Sequence, residues 1–304
     1  MPSWNDLLTQ IEQQPGLLMG QTQQNALKEI GKLRGDRNVI LYASAFLQKP
    51  DVPPTNLQIT HEDLNGFMAV MHGMNWSKGL TIILHTPGGV TNAAESIVAY
   101  LLSKFGDIEV IVPTLAMSAG TMISLAANRV VMGRQSQLGP IDPQMPAAGR
   151  YVSAQSIVDQ FGQARSEILA DKNSAHVWAP ILQSVGPALL QEASNALAYS
   201  ETMVARWLEQ RMFHGSANPK ARADATAKFF RDASVHKSHG RRIDRYEAKQ
   251  NDVTVDDLED SQELQEAVLT SYHMATLFFE RSSTVKIIEG SHDKRWVKSV
   301  GGNS

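Results

Sequence analysis

Two kinds of apolar spacing alternate along the first half of the chain. "NVILYASAF" (38–46), "LTIILH" (80–85), "DIEVIVP" (107–113) and "RVVMG" (129–133) are short, nearly unbroken apolar runs that favour β-branched residues. Such runs predict strands buried on both faces. The intervening segments carry helical spacing: Leu64, Phe67, Met68 and Met71 within 63–74, then Ala94, Ile97, Val98, Leu101 and Leu102 within 92–104, and "SAGTMISLAAN" (118–128). Asn92 and Glu95 are placed as a capping pair for the second of these, and Gly106 as its stop. Strand–helix–strand–helix–strand with short connections predicts an α/β fold with a parallel sheet flanked by helices.

Outside this core the pattern is helical. Leu7, Leu8, Ile11, Leu27, Ile30 and Leu33 have helical spacing across 5–33, broken by "QQPG". Residues 152–235 read as helix throughout, with breaks at Pro180, 184–187 and 213–219. A turn, a short helix and an acidic loop follow, and a long helix closes at "ELQEAVLTSYHMATLFFERS". The expected organisation is an N-terminal helical segment (1–36), a catalytic core (37–150) and a helical region (151–304) that completes the core.

Ligands of parallel sheets collect beyond the carboxyl ends of the strands. Two glycine-bearing turns, 86–89 and 114–120, lie at such ends. In "LHTPGGV" the glycine pair exposes bare backbone after a buried strand; Ser118 opens an apolar helix after the other. Acyl transfer to a hydroxyl needs a nucleophile, a base and two N–H groups aimed at the oxyanion. Ser118 would be the nucleophile, Ala119 would give one donor, and Gly88 or Gly89 the other. The competing reading of Ser118 is a plain helix N-cap. His85 is expected to point into the packing of its strand.

Composition narrows the classes. The 304 residues carry a net charge of -3 with charges of mixed sign, so no basic stripe points to nucleic acid. The absence of cysteine excludes disulfides, thiolate metal sites and a cysteine nucleophile. "TPGGVTN" lacks the lysine and spacing of a phosphate loop. His236 and His239 have a spacing a metal could use, but no acidic pair accompanies them, so no metal or cofactor is expected. The longest apolar stretch, 110–127, is broken by Pro113 and Gly120, and a soluble, cytoplasmic protein is expected.

"TPGG", then "MSAG", then "LGPIDPQ", in that order, resemble the Clp-protease/crotonase superfamily. Within it the chain is most similar to the serine dehydrogenase proteinase family, relatives of signal peptide peptidase A and of the ClpP subunit. The resemblance is carried by residues 38–145 and, further on, by "SHGRRIDRYEAKQNDVTV". It implies a ClpP/crotonase-like repeated β-β-α core and a serine peptidase. Ser118 would be the nucleophile, Gly88 and Ala119 the oxyanion hole, and extended peptide would lie across Gly89, Val90 and Thr91 by strand addition.

No histidine stands where ClpP-type subunits carry theirs. Signal peptide peptidase relatives use a lysine, and Lys172 is the only lysine between Ser118 and Lys220. It would be neutral near pH 7 only if buried among apolar walls, for which Ile168, Leu169, Val177 and Trp178 are at hand. A solvent-facing Lys172 is the competing reading, with His176 and His239 as rival bases and Asp142 as a shaper of its loop. A crotonase-type acyl-CoA enzyme and a catalytically inactive scaffold remain the alternatives. The resemblance also implies a homo-oligomer, and an ATPase or membrane-associated partner fits the same picture. Apolar residues on several helix sides point the same way: Ile181, Leu182, Leu189, Leu190, Leu197, Met203, Val204 and Leu208, then Val268, Tyr272, Met274, Leu277, Phe278 and Phe279.

Overall fold

The computed structural model describes residues 17–147, 149–186 and 188–301. Leu7, Leu8 and Ile11, expected in a first helix, lie outside the described residues. Two compact units are present, one running to Leu138 and resuming at Arg242, the other spanning Gly139–Arg241.

The first unit is built on a seven-stranded sheet. Its strands are β1 (Asn38–Ser44), β2 (Leu80–His85), β3 (Ile108–Val112), β4 (Arg129–Met132), β5 (Val255–Asp257), β6 (Thr284–Gly290) and β7 (Lys294–Ser299). Their order is β7-β6-β1-β2-β3-β4-β5. Strands β1 to β5 run parallel, β6 pairs antiparallel with β1, and β7 antiparallel with β6. Every residue of β1, β2 and β3 is buried, as continuous apolar runs require when helices cover both faces.

Alternation along β1 divides the core. Val39 and Leu41 join Leu27, Ile30, Val268 and Phe279, supplied by helices Leu17–Leu33 and Gln262–Arg281. Tyr42 faces the other way and stacks on Phe67 of helix Asp63–Met71, ring centroids 6.0 Å apart. Helices Thr91–Leu102 and Ala119–Leu125 approach Ile82 on that same side with Val98, Leu101 and Ile123.

The mostly parallel α/β architecture is the one expected, with two differences in this unit. The helix after β2 begins at Thr91 with Val90 at its N-cap and no side-chain cap, so Asn92 lies inside the first turn rather than before it. Residues 151–304 are not one helical region, because the chain returns to the sheet as β5, β6 and β7. "TVKIIEG" hides its strand character behind Lys286 and Glu289, charges that are buried and paired here. "KRWVKS" is a charged edge strand, whose half-exposed pattern carries little apolar signal.

The second unit opens with a hairpin, Gln144–Ala147 paired with Arg150–Ser153, within a stretch read from sequence as loop and helix. Helices Ala154–Ala170, Ala175–Val185, Leu189–Gln210 and Pro219–Arg231 follow. Ala154, Ile157, Ala193 and Leu197 form the centre of its core, with Met145, Val152 and Phe161 against them. Much of the apolar surface expected at contacts between copies is used inside the chain: Leu197, Met203, Val204 and Leu208 are buried, as are Val268, Met274, Leu277 and Phe279.

Candidate active site

The serine turn and the glycine turn are stitched together within the first unit. Beyond β2, Thr86 donates its N–H to Leu115 O at 2.9 Å and accepts from Met117 N at 3.1 Å. That ladder brings Gly88 against the residues around Ser118. A Cβ added to Gly88 would meet Met117 O at 2.6 Å, Ser118 Cβ at 2.7 Å and Ala119 N at 3.2 Å, and its φ of 97° disfavours any side chain. Gly89 is confined from the opposite direction, since a Cβ there would lie 2.3 Å from Ile59 O.

Ile59 is a residue that sequence reasoning missed. Its N–H donates to Gly88 O at 2.8 Å and its carbonyl accepts from Val90 N at 2.9 Å, so it forms a parallel bridge with the glycine turn. Strand addition by a peptide was expected along Gly89, Val90 and Thr91. Ile59 already occupies the Gly88 carbonyl and the Val90 amide, and Thr91 is the first residue of its helix. "LQIT" carries no mark of this role, because backbone pairing by a loop residue leaves no periodic trace.

Ser118 occupies the N-cap position of helix Ala119–Leu125, but its hydroxyl caps nothing. Its φ of 49° and ψ of -114° place a non-glycine residue in a sparsely populated region, a strain of about 1–3 kcal/mol that surrounding structure must hold. Thr86, Met117 and Thr121 supply that hold, Thr121 Oγ1 donating to Ala116 O at 2.7 Å. The plain N-cap reading fails on this geometry: the side chain is half-buried, makes no hydrogen bond to the helix amides, and sits on a strained bend.

The oxyanion donors need amides with no other partner. Gly88 N–H donates to Thr86 Oγ1 at 3.2 Å. Among the described residues, neither Gly89 N–H nor Ala119 N–H has a hydrogen-bond partner. Gly89 and Ala119 therefore offer open amides, and Gly88 shapes the glycine turn.

His85 is packed rather than presented. Its ring lies 4.9 Å from both Phe46 and Tyr272, and Nδ1 is 2.8 Å from Thr114 Oγ1. Burial pushes its pKa down to about 3, only partly offset by a hydrogen bond to the Leu115 backbone, so the ring is neutral at physiological pH.

The proposed bases all belong to the second unit. Lys172 begins a short 3-10 turn, Lys172–Ser174, capped by Asp171, whose carboxylate accepts from Asn173 N at 3.0 Å. It is exposed, and two of its expected walls face solvent, Leu169 at 76% and Val177 at 65% exposure. Trp178 is turned to donate its indole N–H to Glu167 at 2.7 Å. Its own unit thus gives Lys172 no apolar cover. His176 is exposed in the first turn of helix Ala175–Val185.

His239 is held quite differently. Its Nδ1 lies 2.7 Å from Oδ1 of Asp142, which is 2% exposed, while the imidazole is 30% exposed. The other Asp142 oxygen accepts from Gln144 Nε2 at 2.7 Å. A carboxylate against Nδ1 places the proton there and leaves Nε2 as an acceptor. In sequence Asp142 is a lone acid between prolines, far from His239, so no spacing rule could have joined them. His236 has both nitrogens engaged, by Phe229 O at 2.7 Å and Arg241 at 2.9 Å, and is no partner for His239 on a metal.

The family described as ClpP-like SDH-type serine proteinases matches residues 17–180, just over half of the chain. Two uncharacterized proteins of Methanocaldococcus jannaschii are similar, one 37% identical over 119 residues and the other 32% over 139 residues. The matches cover 37% and 44% of this chain and only 41% and 45% of those relatives, so the chain spans less than half their length. Among solved structures, a serine-to-alanine mutant of the 1510-N membrane-bound stomatin-specific protease aligns at 18% identity and a TM-score of 0.40, covering 69% of this chain and 79% of that one. An enoyl-CoA hydratase homologue from Thermobifida fusca aligns at 18% identity and a TM-score of 0.23, covering 61% and 88%. Likenesses this distant do not bear on the site.

Proposed function

Because the chain belongs to the ClpP-like SDH-type serine proteinase family, we propose that it is a serine peptidase whose nucleophile is Ser118. The observation that carries this reading is the strained serine whose hydroxyl declines to cap its own helix. Ser118 Oγ attacks the carbonyl carbon of an extended peptide, and the carbonyl oxygen becomes an oxyanion held by the N–H groups of Gly89 and Ala119. The serine proton passes to a base and then to the leaving amine as the C–N bond breaks; water afterwards cleaves the acyl-enzyme.

Two side chains compete to be that base. Lys172 fits by its place in the sequence after Ser118. His239 is favoured by a specific observation, the buried Asp142 that fixes its tautomer and would stabilise the imidazolium. Lys172 and His239 are the proposed candidates for that base, His239 ordered by a partner in its own unit and Lys172 left without apolar cover there. The acyl-CoA alternative has no use for a serine hydroxyl, and an inactive scaffold has no use for a strained one. Leu169, Val177 and Ile181 are among the exposed apolar residues available for contact with another copy or a partner.

The test is hydrolysis of unfolded protein and activated esters by the wild type and by Ser118→Ala. The reading expects turnover in the first and none in the second, with unchanged circular dichroism. Equal turnover in both would remove Ser118 from the chemistry.

A further inference from the structure

Lys286, on β6, is 0% exposed, as is Asp63, the first residue of helix Asp63–Met71. Lys286 Nζ lies 2.5 Å from Asp63 Oδ1 and donates to Gln58 O at 3.0 Å. The second Asp63 oxygen accepts from Thr60 N at 2.8 Å and from Tyr42 Oη at 3.0 Å. All of these groups belong to the first unit.

The network reaches the glycine turn through Gln58 and Thr60, which flank Ile59, the residue bridged to Gly88 and Val90. A buried ion pair is a poor way merely to hold strands together, since apolar residues of similar volume often do so as well or better. What an apolar pair could not do is hold the carbonyl of Gln58 and the amide of Thr60 in fixed directions.

We propose that the buried Lys286–Asp63 pair, with Tyr42, is a positioning device that fixes Ile59 and the Gly88–Gly89 turn so that the Gly89 N–H points at the substrate oxyanion. The inference rests on the oxyanion role given to Gly89 above. Lys286 and Asp63 do not touch substrate; they act through Ile59 and the turn.

The test compares three proteins: wild type, Tyr42→Phe, and Lys286→Met combined with Asp63→Asn. The double variant removes both charges together, so neither is left buried alone. Ester kcat and KM are measured with the affinity for a peptide aldehyde, whose adduct carries the oxyanion, and for a non-reacting peptide. The expected result for the double variant is a kcat lower by about 10- to 100-fold, less than the full loss of a donor. Aldehyde affinity should fall in parallel, with KM and plain peptide affinity little changed. Tyr42→Phe should show the same split at smaller size, and decides the matter alone if the double variant does not fold. Lowered thermal stability with wild-type kcat and aldehyde affinity would overturn the inference while leaving the peptidase reading intact. A wild type without Ser118-dependent turnover would overturn both.

Discussion

Around Ser118 almost every backbone group is committed. Thr86 ladders with Leu115 and Met117, Ile59 holds Gly88 and Val90, and the Gly89 and Ala119 amides are left open. Around Lys172 the reverse holds: the side chain and two of its apolar neighbours face solvent, and the ordered groups nearby serve local caps. His239, in the same unit as Lys172, stands between these extremes, half-exposed yet fixed by a buried carboxylate. A nucleophile and its oxyanion donors must be fixed to fractions of an ångström, and the backbone supplies that. A base needs one ordered nitrogen, and a single partner suffices.

Gly88→Val should break the ordered side of this comparison most severely. The new side chain would overlap Met117 and Ser118 at a φ of 97°. Expected costs are about 1–3 kcal/mol for the backbone strain and about 1–3 kcal/mol for overpacking. Turnover should fall by on the order of a hundred- to a thousand-fold as the distorted turn carries the Gly89 donor off the oxyanion. Urea unfolding and ester kinetics measure both, and wild-type kcat in the folded variant would show that the turn serves the fold alone.

The next effect separates the two bases. His239→Asn should lower kcat by roughly 10²–10⁴-fold, the usual worth of a general base. Asp142→Asn should follow it in direction, by freeing the other tautomer. Lys172→Met should leave kcat within a few-fold of wild type. The opposite ranking would give the role to Lys172 and require its cover to come from elsewhere.

The smallest effect sharpens the picture of His85 as a packed, neutral ring. Its folded pKa of about 3 lies below the ordinary histidine value, so below about pH 6.5 the unfolded chain takes up a proton that the folded chain refuses. Stability should therefore decline as pH falls from about 6.5 toward 3, by at most about 1.4 kcal/mol per pH unit from this residue. His85→Gln should flatten that slope, as read by denaturant unfolding at several pH values. An unchanged slope would mean that the ring accepts a proton in the folded state.

The parallel core could be read from sequence because its strands are continuous apolar runs and its helices keep one apolar face. Ser118 and the glycine pair were legible for a related reason, since bare backbone after a buried strand has few other uses. The final two strands were not, because buried Lys286 and Glu289 and the charged edge of β7 break the apolar signal. Ile59 acts by its backbone alone, and Asp142 meets His239 only through the tertiary fold, so neither leaves a local pattern. Of the two glycines, Gly89 is the proposed donor because the Thr86 hydroxyl, invisible as a partner in "TPGG", takes the Gly88 amide.

The central claim is that Ser118 is a nucleophile set on a strained bend beside two open amides. Reaction of the folded protein with a fluorophosphonate, read by intact mass and peptide mapping, tests it most directly. The account predicts one adduct per chain, on the peptide containing Ser118, lost in Ser118→Ala and slowed in His239→Asn. An unmodified folded protein, or an adduct on another serine, would contradict it.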